Sequence, residues 1–121
     1  MQRFAVLEHD SPRGLHWDLL LETGATLRTW ALAAPPDHPG PITADELPDH
    51  RPVYLDYEGP VSGNRGSVRR WDHGTYEVQE QSDVRWVVKL LGGKLNGLVT
   101  IEKVADQPGK WEFVFTPSGE G

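Results

Sequence analysis

The chain has 121 residues, a formal net charge of −6 and no cysteine, so we expect one domain that folds without disulfides. The absence of cysteine excludes thiolate metal sites and a cysteine nucleophile, and the acidic balance argues against a broad, nonspecific nucleic-acid binder. The start MQRFAVLEHD lacks signal-peptide features, and no apolar stretch approaches the roughly 18 residues of a membrane span. We therefore expect a soluble, cytoplasmic, monomeric protein with no membrane association.

Short runs rich in aromatic and β-branched residues lie between frequent glycines and prolines, of which there are 13 and 10. Such runs are typical of strands. Turn signals at Thr23-Gly24, Asp72-His73-Gly74 and Gly92-Gly93-Lys94 fit hairpins. The pattern predicts an all-β fold, an antiparallel barrel or sandwich. The predicted strands are 2–9, 15–22, 26–33, 52–57, 66–71, 74–80, 84–91, 97–104 and 110–115.

The segment 34–51, APPDHPGPITADELPDHR, is rich in proline and acidic residues. It predicts one long loop, with a helical turn at 43–47 in which Thr43 is the N-cap and Glu46 completes a capping box. Long loops on compact β folds are often functional. We expect one domain over residues 1–116 and a disordered tail over 117–121.

Two histidines and a carboxylate lie within ten residues of each other near the N-terminus. In the run from Leu15, His16 and Asp18 point to one face of a strand, and the alternate residues point to the other, which we take as the core face. His9 ends the preceding strand, and the Pro-Arg-Gly connection brings it back toward His16. Two imidazoles and a carboxylate suit Mn²⁺, Fe²⁺ or Zn²⁺ and leave positions for water or substrate. The alternative is that these are ordinary surface or hydrogen-bonded histidines.

A second polar cluster follows the long segment. His50 closes that segment and Tyr54 lies in the next predicted strand. Both side chains can donate hydrogen bonds to a phosphate, and His50 can protonate a leaving oxygen. The alternative is that Tyr54 simply packs and His50 is solvated. His38 and His73 are weaker candidates, because each lies in a predicted loop or turn.

Four stretches, in order along residues 3–104, resemble the 3′-phosphoesterase module of bacterial DNA ligase D. That family has a His-Asp…Leu-His-aromatic-Asp stretch, a Thr-Trp-like strand, an Asp-His-Pro…Tyr…Glu-Gly segment and a Trp-Asp-x-Gly turn. The order and spacing of the four together make the resemblance specific. The matching stretches are FAVLEHDSPRGLHWDLLLE, LRTWALAAPP, DHRPVYLDYEG and GSVRRWDHGTYE.

The resemblance implies a small antiparallel β-barrel of about eight strands, with one long Pro-rich loop. It implies an enzyme that removes a 3′-terminal ribonucleoside and then the 3′-phosphate, with Mn²⁺ as the preferred metal and Zn²⁺ or Fe²⁺ as alternatives. The family's metal ligands match His9, His16 and Asp18, and its catalytic, phosphate-contacting pair matches His50 and Tyr54. The implied partners are nucleic-acid 3′ ends and separate ligase, polymerase or end-joining proteins.

We expect a divergent, stand-alone member of the family, because the chain departs from the family pattern at three places. Gly14 is an extra residue between the two metal-binding histidines, and Gly63-Asn64-Arg65-Gly66 replaces a Tyr-Gly segment. The family has an essential arginine two residues after the metal-binding aspartate, and here that position is Leu20. A guanidinium that neutralises a phosphate is hard to replace. The candidate substitutes for it are Arg13, Arg51 and Arg65.

Three functions follow from these observations. The first is a metal-dependent phosphoesterase that trims 3′-phosphate or 3′-ribonucleotide ends of DNA or RNA in repair. The second, suggested by Leu20 and by the acidic charge, is a catalytically altered or inactive module that binds DNA ends. The third is a phosphoesterase that acts on small phosphate esters, since a small substrate needs no long basic track.

Overall fold

The computed structural model describes residues 2–118, and nearly all the regular secondary structure in this part of the chain is antiparallel β-strand. The strands are β1 Gln2–Ser11, β2 Gly14–Thr23, β3 Thr26–Leu32, β4 Ile42–His50, β5 Gly59–Pro60, β6 Ser67–Gln81, β7 Arg85–Gly92, β8 Asn96–Lys103 and β9 Lys110–Pro117. Strands pair in the order β1-β2-β3-β4-β9-β8-β7-β6, and β6 returns to pair with β1, so the sheet closes into a barrel-like ring. The predicted all-β barrel fold is confirmed. No helix in the described residues is long and apolar enough to cross a membrane.

The apolar side chains form two clusters, one on each face of the sheet. The larger cluster fills the inside of the ring, where Trp30 packs edge-on against Trp86 and Trp111. The smaller one lies on the outer face; we call it the outer cluster, and its buried members are Ala5, Leu7, Leu20, Leu27, Leu55 and Val68. The alternation predicted for β2 is confirmed, because Leu19 and Leu21 belong to the inner cluster. Leu15, predicted on the core face, is 50% exposed at the start of β2.

The predicted long loop over 34–51 is wrong in its second half. Residues 42–50 form β4, which pairs with β3 on one side and β9 on the other and so completes the ring. Ile42 and Ala44 are buried in the inner cluster, and Glu46 accepts a hydrogen bond from Trp111 Nε1 at 2.9 Å instead of completing a capping box. The irregular part of the segment ends at Pro41.

Two other local predictions are corrected. The predicted strand 52–57 is wrong: residues Pro52–Leu55 form a 3-10 helix. Proline is favourable at the first position of a helix, and the helix buries Leu55 in the outer cluster. The predicted turn at 72–74 lies inside the continuous strand β6, where a β-bulge shifts the register opposite Val6 and Leu7. Gly74 is needed there for close approach, because a Cβ would lie 2.0 Å from the Leu91 carbonyl oxygen.

The hairpin turns at 23–24 and 92–94 are confirmed by the β2–β3 and β7–β8 pairings. β9 ends at Pro117. Residues 119–121, most of the predicted disordered tail, lie outside the described residues.

Candidate metal centre and substrate face

The β1–β2 hairpin brings the two histidines together. Ser11 pairs with Gly14 across the tight turn, so His9 is directly opposite His16, and their ring centroids lie 4.5 Å apart. Gly14 has φ +114°, a backbone conformation that side-chain-bearing residues rarely adopt. The turn therefore accommodates the extra glycine and keeps the two imidazoles in register.

Asp18 follows His16 by two residues in β2, so its side chain lies on the same face, and it contacts both imidazole rings. Its Oδ2 is 3.0 Å from His9 Nδ1, and its Oδ1 is 3.0 Å from His16 Nε2. When two ligand atoms each lie about 2.1 Å from one ion and their bonds to it form a right angle, the two atoms are about 3 Å apart. His9, His16 and Asp18 thus form a compact group of candidate metal ligands, which we call the metal-ligand group, and one ligand atom from each lies within 4.8 Å of the others.

The carboxylate of Asp18 is held in a buried position, since only 3% of its side chain is exposed. Burial alone would raise the pKa of this carboxyl, but the contacts with His16 and His9 outweigh that effect and lower its pKa. The approach of His16 does not meet hydrogen-bond geometry, so Oδ1 is a buried oxygen with no hydrogen-bond partner in the described part of the chain. A buried, unsatisfied anionic oxygen is a position that a cation would stabilise.

The hydrogen bonds of His9 indicate which ring nitrogen faces the cation position. Its Nε2 lies 2.7 Å from the carbonyl oxygen of Arg65, and because a carbonyl only accepts, Nε2 carries the proton. In the neutral ring, Nδ1 then directs its lone pair at Asp18 Oδ2, and the two repel unless a proton or a metal ion lies between them. The hydrogen bond with Asp18 accordingly raises the pKa of His9. An imidazole that donates its second N–H to a carbonyl is the usual arrangement of a metal-ligating histidine, so the residues present fit a divalent metal.

With this geometry established, comparison with known proteins is informative. The family model described as the DNA Ligase D 3′-phosphoesterase domain matches residues 7–103. The chain belongs to this family. The multifunctional non-homologous end joining protein LigD of Pseudomonas aeruginosa is 35% identical over 79 residues, which are 61% of this chain and 9% of that protein. The chain thus covers a small fraction of the length of this relative.

The second group predicted to act in this phosphoesterase-domain chain, His50 and Tyr54, is also brought together. Their rings meet edge-on with centroids 5.7 Å apart. His50 Nδ1 donates to the Pro48 carbonyl oxygen at 2.9 Å, which leaves Nε2 available to a ligand. His50 pairs with Leu27 of the outer cluster, and directly paired residues share a face, so His50 lies on the same outer face as the metal-ligand group.

The two groups are nevertheless separate along the sheet. Asp18 pairs with Ala31 on β3, whereas His50 pairs with Leu27, four residues away, which corresponds to about 13 Å along a strand. Within residues 2–118, no hydrogen bond links His50 or Tyr54 to His9, His16 or Asp18. Between the two groups lies the outer cluster, against which Tyr54 packs.

Leu20 occupies the position at which the family pattern has arginine. Its side chain is fully buried in the outer cluster, together with Leu55 of the 3-10 helix. Residue 20 therefore lies on the same face of the sheet as the metal-ligand group, but its side chain is buried among the other residues of the outer cluster. An arginine here would have to displace the cover to reach a phosphate.

The three arginines predicted as substitutes have different surroundings. Arg65 donates to Ser62 through Nε and Nη2, so its guanidinium folds back into its own turn. The Arg51 guanidinium lies 5.9 Å from the Tyr54 ring centroid, beside the His50–Tyr54 pair. Arg13 is exposed at the tip of the β1–β2 hairpin. None of the three makes an ion pair within the described range 2–118, and only the Arg65 guanidinium makes a hydrogen bond there.

An open depression lies between the β1–β2 hairpin and the turn at 61–66. Asp10, Ser11, Val61 and Gly66 are among the residues that line it. A second depression, lined in part by Arg28, Glu46 and Lys103, contains none of the predicted site residues. The first depression is lined by none of the predicted site residues either.

One functional contact was not predicted from the sequence, the hydrogen bond between His9 and the Arg65 carbonyl. The sequence points to Arg65 only through its charge. The Gly63-Asn64-Arg65-Gly66 composition indicates a turn. It does not indicate which carbonyl of the turn faces a residue 56 positions earlier.

Proposed function

We propose that this protein is a metal-dependent phosphoesterase that trims 3′-phosphate or 3′-ribonucleotide ends of DNA or RNA in end joining. The observation that carries the proposal is the buried carboxylate of Asp18, which lies 3.0 Å from one ring nitrogen of His9 and one of His16. Membership in the 3′-phosphoesterase domain family supports the reaction class. Mn²⁺ is the proposed metal, with Zn²⁺ and Fe²⁺ as alternatives that the same ligand set can bind.

His9, His16 and Asp18 would hold the ion. When bound, such an ion supplies a Lewis acid for the phosphoryl oxygen and lowers the pKa of a bound water. The chain's own contribution is positional: the β1–β2 ladder fixes both imidazoles, and burial keeps Asp18 away from competing water. Asp18 brings one negative charge and the imidazoles are neutral ligands, so the site would keep a net positive charge that attracts a phosphate.

His50 and Tyr54 would contact the substrate at the second group on the same face. Because the two groups are separated along the sheet, we propose that they bind different parts of one nucleic-acid end. Nε2 of His50 can accept a hydrogen bond, or donate one when protonated, and the Tyr54 hydroxyl can donate. Arg51 lies beside them and is the arginine that we propose neutralises a phosphate.

The test is an end-trimming assay with three substrates: a primer–template with a 3′-phosphate, one with a single 3′-ribonucleotide, and a mononucleotide. We expect Mn²⁺-dependent trimming of the primer–templates that weakens as salt concentration rises, because contacts with nucleic-acid phosphates are salt-sensitive. His16→Ala should abolish it, and His38→Ala, an exposed histidine in the loop before β4, should not. Trimming that is unchanged in His16→Ala would contradict the assigned site.

A second candidate function is a module that binds DNA ends without turnover. The burial of Leu20 in the outer cluster favours it, because the face then lacks the arginine that the family pattern places there. Binding of 3′-phosphate ends with no release of phosphate would support this candidate. Salt-insensitive hydrolysis of the mononucleotide would instead favour an esterase for small phosphate esters.

A further inference from the structure

The turn at residues 61–66 contacts the metal-ligand group through its backbone. Val61 N–H donates to the Gly66 carbonyl oxygen at 2.8 Å and closes the turn. The preceding carbonyl, that of Arg65, accepts the Nε2–H of His9 at 2.7 Å. The turn therefore supplies the only hydrogen-bond partner of the His9 ring, other than Asp18, that the described residues provide.

Gly66 holds this turn against β1 beside His9. It has φ +87°, and a Cβ there would lie 1.9 Å from the carbonyl oxygen of Asp10. Both the conformation and the close approach require glycine. Since Asp10 follows His9 directly, the contact fixes the distance between the turn and the His9 ring.

The Arg65 side chain holds the turn from within. Its Nε donates to the Ser62 carbonyl oxygen at 2.7 Å, and its Nη2 lies 3.2 Å from Ser62 Oγ. These bonds span the tip of the turn, where Gly63 and Asn64 both have positive φ. The guanidinium thus stabilises the turn conformation that directs the Arg65 carbonyl at His9.

We propose that Arg65 is a positioning residue of the metal centre. Its side chain fixes the 61–66 turn, and its carbonyl fixes the His9 ring with Nε2 protonated, so that Nδ1 is the atom that binds the metal. This inference rests on the proposed function, because it requires that His9, His16 and Asp18 bind a divalent ion. It assigns Arg65 a role through the backbone, distinct from contact with a substrate phosphate.

The sign of the effect on metal affinity separates this role from a purely electrostatic one. Removing a nearby positive charge should by itself tighten the binding of a cation. If Arg65 positions His9, Arg65→Ala should instead weaken Mn²⁺ binding, by about tenfold, the lower end of the loss seen when an outer partner of a metal ligand is removed. Arg13→Ala is the matched control, since it removes an exposed arginine at the neighbouring hairpin tip and should leave the Mn²⁺ dissociation constant unchanged or slightly lower.

The experiment is isothermal titration calorimetry, which measures the Mn²⁺ dissociation constant of the metal-free protein. It is carried out on the wild type and on Arg65→Ala, Arg13→Ala and His16→Ala. A second readout is the ¹⁵N NMR spectrum of the histidine rings in the Zn²⁺-loaded protein, where we expect His9 to be coordinated through Nδ1 and to retain a slowly exchanging Nε2 proton. In Arg65→Ala this proton should exchange faster. Thermal unfolding of each variant checks that the fold is intact.

Weaker Mn²⁺ binding by Arg65→Ala together with faster exchange of the His9 proton would support the inference. If Arg65→Ala binds Mn²⁺ as tightly as the wild type or more tightly, and the wild-type affinity depends on His16, the inference is overturned. The proposed function is then unaffected. A wild type that binds no Mn²⁺, or a His16→Ala variant that binds it equally well, would overturn the metal site itself and the inference with it.

Discussion

The Oδ2 atom of Asp18 lies 3.0 Å from Nδ1 of His9, in a position where only 3% of the Asp18 side chain is exposed. This pair makes Asp18 the central ligand of the proposed metal site. We predict that Asp18→Asn weakens Mn²⁺ binding by at least tenfold, because it removes the only negative charge of the ligand group while keeping its shape. Asp10→Asn is the matched control: Asp10 follows His9 directly but is exposed. Isothermal titration measures both, and equal losses in the two variants would contradict the assignment.

Leu20 provides a test of how the outer face is built. Because it is fully buried in the outer cluster, Leu20→Arg should lower the free energy of unfolding by about 3 kcal/mol or more, the cost of an unpaired buried charge. Leu20→Met, which conserves volume, should cost less than about 1.5 kcal/mol. Urea unfolding followed by tryptophan fluorescence measures both. A Leu20→Arg variant as stable as the wild type would contradict this description of the outer face. Higher trimming activity in that variant would favour the view that the natural chain is an altered module that only binds.

Asp72 should be important for stability and not for metal binding. Its buried carboxylate accepts the backbone N–H groups of Gly93 at 2.9 Å and Leu95 at 2.8 Å, and so fixes the β7–β8 turn. Asp72→Asn leaves one of these donors facing an amide NH₂ group, and we expect a loss of about 2 kcal/mol of unfolding free energy. Asp83→Asn, an exposed change in another turn, should have little effect. Equal unfolding midpoints for Asp72→Asn and the wild type would contradict this role.

We predict that the protein loses stability at high pH, because the buried phenol of Tyr76 is then deprotonated. Its hydroxyl donates to the Glu22 carbonyl oxygen at 2.7 Å, and burial raises its pKa to about 12. Because the folded pKa lies above the unfolded value of about 10, the stability from the protonated phenol is fully present below pH about 10 and is lost as pH rises toward about 12. Tyr76→Phe should cost about 1 kcal/mol at pH 7 and reduce the loss of stability between these pH values. A steeper alkaline loss in Tyr76→Phe than in the wild type would contradict this explanation.

The sequence was most informative where local periodicity and a tight turn together determine the geometry. The alternation in β2 separates His16 and Asp18 from Leu19 and Leu21, and the short β1–β2 turn leaves little freedom in where His9 lies. Both features are read over fewer than ten residues. The proximity of His9, His16 and Asp18 could therefore be predicted from the sequence.

The sequence was misleading where tertiary contacts outweigh local composition. Pro48 and the acidic residues of β4 are typical of a loop, yet burial of Ile42 and Ala44 and pairing with β3 and β9 make the segment a strand. Leu20 also shares the outer cluster with Leu55, 35 positions away in the chain. Such contacts leave no periodic signal in either segment.

The metal dependence of end trimming tests the central claim most directly. Protein treated with EDTA and then desalted should release no phosphate from a primer–template with a 3′-phosphate. Added Mn²⁺ should restore release by the wild type and by His38→Ala, and should fail to restore it in His16→Ala. Full activity in the presence of EDTA, or restoration in His16→Ala, would contradict the claim that His9, His16 and Asp18 form the metal centre of a phosphoesterase.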